Sequence, residues 1–450
     1  MAAPSGSRPD HSPTVDDNLV HDVLVDIEQS PTPYHAAARV GGILEDAGFV
    51  PVDAEAPFPE PDGDHGYVLR RGGFVAAWWP RVGADRFAVV GAHTDSPNLR
   101  VRTHPDVGRA GVRQIGMEVY GGILPNTWLD RDLGLAGRVM VAPGDGETGI
   151  TTRLYREFQP IMRIPQLAIH LDRDIREKGL LVDPQKHLVP MWALGEVEEG
   201  GLIRHVAEDL DVDPERILSW DLMAYDTQAP ALVGRDHDLI ASARIDNLVS
   251  VFAGLHALIA AVTGPGPDTP MGAVPVLVAY DHEEVGSGSA TGAAGVLLAS
   301  ILERISASLG RDRVDHLAAL ARSLVVSADG AHATHPNYVD RHEPAHHIAL
   351  NGGVVIKRNA NQRYATDAPG EARVVSIARA ADVPLQFYIH RNDLPCGSTI
   401  GPISAAALGA TTVDLGVPQL AMHSARETAG AADVARLAAL LDAFWRTPEP

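Results

Sequence analysis

The sequence predicts an α/β protein whose mostly parallel sheet is covered by helices on both faces and interrupted by an inserted β-rich domain. Three observations carry that reading. After Ala241, short apolar runs alternate with amphipathic helical stretches, the rhythm of strand–helix–strand crossovers. Runs such as 87–91 (FAVVG) are apolar throughout and end in a turn, which fits a strand buried on both faces. Between Arg100 and Ala241 the pattern changes: β-like segments with Gly- and Pro-rich turns dominate, and long amphipathic helices are scarce.

In chain order, residues 1–17 are rich in Pro, Ser and Asp and read as disordered. Helices are expected over 16–30 and 34–47, then strands over 66–70, 73–79 and 87–91. The inserted domain, 100–241, has β-like segments at 112–120, 136–142, 150–155 and 167–171. Beyond it come a helix over 245–261, a loop at 264–270, and a strand over 274–280. Helices over 297–309 and 314–322 follow, then a strand over 324–328. A helix over 371–381, a strand over 385–389, a short helix over 403–408 and a strand over 411–415 lead to a terminal amphipathic helix over 431–445. The implied division is a discontinuous α/β domain, 18–99 with 242–450, around the insert.

Composition narrows the function. The chain of 450 residues carries 37 Lys+Arg against 58 Asp+Glu, a net charge of −21. That balance argues against coating nucleic acid or an anionic membrane, both of which call for a basic footprint. Three of the basic residues are lysines: Lys178, Lys186 and Lys357. Cys396 is the sole cysteine, which excludes an intrachain disulfide framework and a cysteine-rich zinc module and points to a cytoplasmic home. The N-terminus has no apolar core of signal-peptide length, and no uninterrupted apolar stretch reaches the length of a membrane span.

Five places carry candidate chemistry, four of them with an acidic residue or His just past a buried-type strand. Ligands bind at the carboxyl ends of strands in open α/β sheets, so these positions can converge. In GAHTDSPNLR, His93 follows strand 87–91 and Asp95 lies two residues on; a neutral imidazole suits zinc and a carboxylate can fix its tautomer, though an ordinary turn with an Asp cap fits too. Asp246 opens an apolar helix, where Asp is also a common N-cap. Glu283 and Glu284 are adjacent at a strand end, where two carboxylates repel. A metal on one and a proton-transfer role for the other would explain the pair, and an exposed acidic turn would as well. Asp329 follows strand 324–328 within an Asp-Gly turn, with His332 and His335 nearby; His423 stands eight residues past Leu415. The motif around His282 is not a His-Glu-x-x-His helix, and no Gly-Lys-Ser/Thr loop is present. Jointly the set of His, Asp and Glu suits two zinc ions bridged by one carboxylate, and the absence of thiolates suits an open catalytic site.

Nine long motifs in order then make a family visible: GAHTDSPNLRV, YGG with TWLDRDLGLAGRV, IPQLAIHLDR, RIDNLVS, YDHEEVGSGSATGA, SADGAHATHPNY, IKRNANQRYATDA, NDLPCGSTIGPI and LGVPQLAMHSARE. The chain resembles the aspartyl aminopeptidase family of dinuclear zinc metallopeptidases over roughly 18–446. The resemblance implies two Zn2+ per subunit, with Mn2+ or Co2+ as alternatives, and a zinc aminopeptidase-like fold. One ion would be held by His93, Asp246 and Asp329, the other by Asp246, Glu284 and His423, with Asp246 bridging. Glu283 would be general base, Asp95 would orient His93, and His170 would reach a neighbouring subunit's site to bind the reacting carbonyl region. Lys357 and Tyr364 would line the pocket for the substrate's N-terminal side chain. The resemblance further implies a preference for N-terminal Asp or Glu and a tetrahedral homododecamer, with the insert forming much of the subunit contact. One departure stands at Leu124-Pro125-Asn126, where a bulkier, aromatic-containing segment is expected. The rival readings are a dinuclear zinc deacylase or carboxypeptidase, gripping a carboxylate through Arg358 or Arg363, and a catalytically silent metal-bound assembly protein.

Overall fold

The computed structural model describes residues 15–61, 63–144, 146, 148–264 and 272–447. Of the segment expected to be disordered, 1–14 lies outside the described residues; the first helix begins at Val15. The 264–270 loop lies outside them beyond Gly264.

Among the described residues, nine strands form the central sheet. Their order is Phe49–Pro51, Gly66–Arg71, Phe74–Trp78, Ala273–Tyr280, Arg86–His93, Leu324–Ala328, Thr411–Gly416, Val354–Arg358 and Leu385–Ile389. The four central strands, from Ala273–Tyr280 to Thr411–Gly416, run parallel. Antiparallel pairings flank them on both sides, so the sheet is mixed. Side chains alternate between faces with the period of two that a strand imposes. Ala88, Val90 and Ala92 pack with helices Val15–Glu28, Pro33–Asp46, Ile245–Thr263, Ala368–Ala380 and Ala431–Arg446. Phe87 and Val89 pack with Leu297–Ser308, Arg313–Arg322 and Ile400–Leu408 on the other face.

Two helices start earlier than their apolar periodicity suggests. Asp367 accepts the Gly370 N–H at 2.8 Å and starts Ala368–Ala380, and Thr399 caps Ile400–Leu408 through Gly401. Helix Ile245–Thr263 has the length and apolarity of a membrane span, but 78% of that apolar window is buried inside the fold.

The inserted segment builds a second, wholly antiparallel sheet. Strand Ile217–Asp226 pairs with both Asn98–Arg109 and Asp132–Val141, so the sheet closes on itself. Closure pairs the strands of the ring on both sides and leaves Thr151–Arg156, which pairs with Asp132–Val141 alone, as an edge. Leu99, Ile115, Leu133, Leu135, Val139 and Leu222 form its own core, joined by Leu202 and Val206 of helix Gly201–Leu210. The barrel strands span Asn98 to Asp226, a little inside the expected 100–241 at the far end. Charged side chains along Asn98–Arg109 had hidden that strand from a reading by hydrophobic pattern. The expected strand at 167–171 is a correction: the segment is irregular and turn-like. Leu167, Ile169 and Leu171 are 57%, 47% and 75% exposed and pair with no strand among the described residues.

A third, small sheet ties distant segments together. It contains Leu239–Ser242, Glu427–Gly430, Pro418–Leu420 and Ala331–His332. These strands precede Asp246, flank His423 and follow Asp329, so the sheet gathers three acidic or imidazole side chains from separate parts of the chain.

Candidate active site

The parallel strands end together. His93 is the last residue of Arg86–His93 and stands in register with Tyr280, directly before Asp281. Asp329 follows Ala328 at the end of the neighbouring strand, its N–H bonded to Leu415 O at 2.8 Å. Asp246 lies at the start of the buried helix, its carbonyl held by Ser96 Oγ at 2.7 Å. Glu283 and Glu284 sit on a single turn of 3-10 helix, Glu283–Val285. His423 lies in the turn between Pro418–Leu420 and Glu427–Gly430.

These side chains converge. His93 Nε2 lies 3.3 Å from Asp246 Oδ1 and 3.6 Å from Asp329 Oδ1. His423 Nε2 lies 3.5 Å from Asp246 Oδ2 and 3.3 Å from Glu284 Oε2. The two oxygens of Asp246 therefore serve two different clusters. Each imidazole turns its Nδ1 to a backbone carbonyl: Asp95 O for His93 and Gly122 O for His423, both at 3.0 Å. A carbonyl only accepts, so Nδ1 carries a proton, and Nε2 is the nitrogen turned to the cluster, where it would ligate a cation once deprotonated.

Asp95 does more than face His93, whose Nδ1 is 3.5 Å from Asp95 Oδ1. Its carboxylate accepts the backbone N–H groups of Glu283 and Glu284, both at 3.1 Å, and the Tyr120 hydroxyl at 2.6 Å. It thus fixes the turn that presents both glutamates. Tyr120 comes from the barrel, and so does the support of His423. Leu124 N–H donates to His423 O at 3.0 Å, and Thr127 Oγ1 accepts the Ala425 N–H at 2.9 Å. The Leu124-Pro125-Asn126 departure falls at this contact, where the chain makes a 3-10 turn, Pro125–Trp128.

Electrostatics concentrate here. Burial pushes the Glu283 carboxyl up to about 8, opposed by His93 and reinforced by Asp329 and Asp246. Burial and Asp246 likewise raise Glu284 well above the carboxylate range. His423 would be lowered by burial, but Asp246 and Glu427 bring it up to about 9. Several carboxylates thus compete for too few protons, and a divalent cation seated among them would relieve the same repulsion. Asp246 Oδ1 and Glu284 Oε1 are buried with no hydrogen-bond partner, and the ligand atoms of His93, Asp246 and Glu284 lie within 4.8 Å of one another. An all-N/O donor set with orphaned oxygens fits zinc.

Lys357 is 1% exposed, on strand Val354–Arg358, which sequence reading had passed over. Its Nζ donates to Gly330 O at 3.1 Å and to Asp329 Oδ2 at 3.3 Å, and stands 5.1 Å from the centre of the Tyr364 ring. Arg358 pairs with Glu371, and Arg363 donates to the carbonyls of Cys396 and Gly397. Their contacts offer no direct support for a carboxylate grip. His170 lies in the exposed turn after Pro165 and has no bond to the cluster within the chain. Glu427 is the residue that sequence reasoning left without a role. It stands at the end of the motif LGVPQLAMHSARE, and both its oxygens accept backbone N–H groups of the site.

A mixed α/β sheet with acidic and imidazole side chains massed at its strand ends defines a metallohydrolase centre. The sequence model of the Aminopeptidase I zinc metalloprotease (M18) family matches residues 27–445. A probable M18 family aminopeptidase 2 of Streptomyces coelicolor is 48% identical over 427 residues, covering 94% of this chain and 96% of that one. Among solved structures, the Ape4 and Nbr1 complex contains a chain of TM-score 0.89 and 34% identity, covering 96% of this chain and 86% of that one. The S. cerevisiae mApe1 dodecamer gives a TM-score of 0.83 at 26% identity, covering 95% and 97%. The chain belongs to the M18 aminopeptidases. It is a zinc-family hydrolase that removes residues from peptide N-termini.

Proposed function

We propose that the protein is a two-zinc aminopeptidase with a preference for N-terminal Asp and Glu. The observation that carries the two-cation reading is the division of Asp246, whose oxygens face His93 and His423 separately. His93, Asp246 and Asp329 would hold one ion; Asp246, Glu284 and His423 would hold the other. Bound zinc supplies Lewis acidity at the scissile carbonyl and lowers the pKa of water. Glu283, free of a ligand role and beside both clusters, takes a proton from the attacking water and passes it to the leaving amine. Glu283→Gln is expected to abolish turnover and keep zinc content; wild-type turnover would refute the assignment.

The acidic preference rests on Lys357. A lysine is a compact point charge with three donors. Two of them are engaged, by Asp329 and Gly330, and the third has no partner among the described residues. Tyr364 walls the same space. Lys357→Met is expected to lower kcat/KM on Asp- and Glu-peptides far more than on Leu- or Ala-peptides. Equal losses would sink the pocket role, since the bond to Asp329 alone would weaken all substrates alike.

We further propose a tetrahedral homododecamer in which His170 enters a neighbour's site. The exposed apolar side chains beside it in the chain, Leu167, Ile169 and Leu171, support burial against another subunit. A monomeric native mass would overturn this. A cytoplasmic location fits the single free cysteine, Cys396, and recovery of the native protein solely from an extracellular fraction would contradict it.

A further inference from the structure

Glu427 opens the strand Glu427–Gly430 and is 2% exposed. Its two oxygens are spent on two distant segments. Oε2 accepts the Asp246 N–H at 3.0 Å, and Oε1 accepts the His423 N–H at 2.7 Å. Neither of these residues is held by regular structure. Asp246 has φ −79° and ψ 106°, outside helical geometry at the start of Ile245–Thr263. His423 has φ +67°, in the left-handed region that costs a side-chain-bearing residue about 1 kcal/mol or more. A backbone N–H outside helix and sheet needs another acceptor when buried. Glu427 supplies that acceptor to both residues at once.

We propose that Glu427 is the positioning residue of the cation site formed by Asp246, Glu284 and His423, setting the separation of Asp246 from His423; this rests on the two-cation reading above. The other half of the site has its own brace. Asp95 accepts the N–H groups of Glu283 and Glu284. Two carboxylates thus staple the backbones of the ligand-bearing turns in pairs, and of the two it is Glu427 that accepts the His423 N–H. A neutral side chain would relieve repulsion with Asp246 at this buried position. The carboxylate's advantage is that both of its oxygens accept, which glutamine cannot match: its amide would set a donor against one of the two N–H groups. Aspartate keeps the charge but is one methylene short of spanning both.

The test uses full-length wild type, Glu427→Gln and Glu427→Asp. Zinc stoichiometry and affinity are read by competition with a chromophoric chelator, alongside steady-state kinetics on one peptide substrate. Wild type is expected to bind two equivalents. Glu427→Gln is expected to keep one near wild-type affinity and to weaken the other about 10–100-fold, the scale of losses when a metal ligand's support is removed. Its kcat should fall by a similar factor with KM within about twofold, and excess zinc should restore part of it. Glu427→Asp should fall between the two at the same equivalent, and carries the test if the glutamine variant does not fold. Two wild-type equivalents in Glu427→Gln, or equal weakening of both, would overturn the role of Glu427. A single equivalent in wild type would overturn the two-cation reading itself.

Discussion

Tyr120 donates its hydroxyl to Asp95 Oδ2 across 2.6 Å, joining the barrel to the turn that carries Glu283 and Glu284. Asp95 is fully buried, so the hydrogen bond is made in a low dielectric, where a charge-assisted bond is worth about 1.5–3 kcal/mol. Tyr120→Phe is expected to lower stability by about 2 kcal/mol and kcat by roughly 3–10-fold, with zinc stoichiometry unchanged. Thermal unfolding and kinetics check both parts. Unaltered kcat would mean that Asp95 holds the turn without the barrel's help.

Gly416 ends the strand beside Asp329, and a Cβ there would stand 1.9 Å from Asp329 O. That is backbone against backbone, with no flexible side chain to yield. Gly416→Ala is expected to displace Asp329, cutting activity at least about 100-fold and stability by on the order of 2–4 kcal/mol. A Gly416→Ala protein with normal zinc affinity and turnover would show that the strand end can move without carrying Asp329.

Metal should feed back on folding. Ions that bind the native cluster stabilise it by mass action, about 2.7 kcal/mol at a hundredfold excess over Kd. Chelation is therefore expected to lower the melting temperature by several degrees and zinc to restore it. In Asp246→Asn, which weakens the shared ligand, zinc should shift the melting temperature little. A scanning fluorimetry series with and without zinc decides this; a full shift in the variant would deny Asp246 its bridging place.

His35 provides a pH test away from the metal ligands. Burial, then Arg156 and Arg244, depress it from 6.5 to about 4. The fold therefore holds its neutral form, and this contribution is fully present above pH 6.5. As pH falls from about 6.5 to about 4 the unfolded chain takes up the proton first, and the contribution is lost, on the order of 3 kcal/mol. His35→Gln should lose less stability than wild type between pH 7 and pH 4.5 in denaturant titrations. Parallel curves would contradict it.

Much of the centre was legible in the sequence because strand ends are legible. FAVVG, the run before Asp281 and the run before Asp329 each announce a buried strand, and the chemistry follows directly after it. Asp246, Glu284 and His423 are each explained alone by an N-cap or a solvated turn; taken jointly with His93 and Asp329 they suit two bridged cations, and the long motifs add which residue would hold which ion. What stayed hidden depends on pairing over long separations. Val354–Arg358 carries Lys357 and is short and flanked by loops, so its place beside Thr411–Gly416 follows from tertiary packing. Glu427 carries no signal of its own in the sequence, because a side chain accepting backbone N–H groups leaves no periodic trace. The apolar run at 167–171 misled for the opposite reason: its alternation suits a strand, yet no neighbour in the chain accepts it.

The small third sheet has a consequence for synthesis. It joins segments near 240, 331 and 418–430, so it forms only after the strand at 427–430 has been made. A chain emerging from the ribosome presents His93 well before His423. Until then the shared carboxylate of Asp246 lacks one of its two imidazoles, and the last helix, whose Trp445 bonds Ala88 O at 3.0 Å, has not docked. Peptide-cutting capacity therefore arrives only after the segment carrying His423 has been made, by which time helices Val15–Glu28 and Pro33–Asp46 have had the chance to fold away.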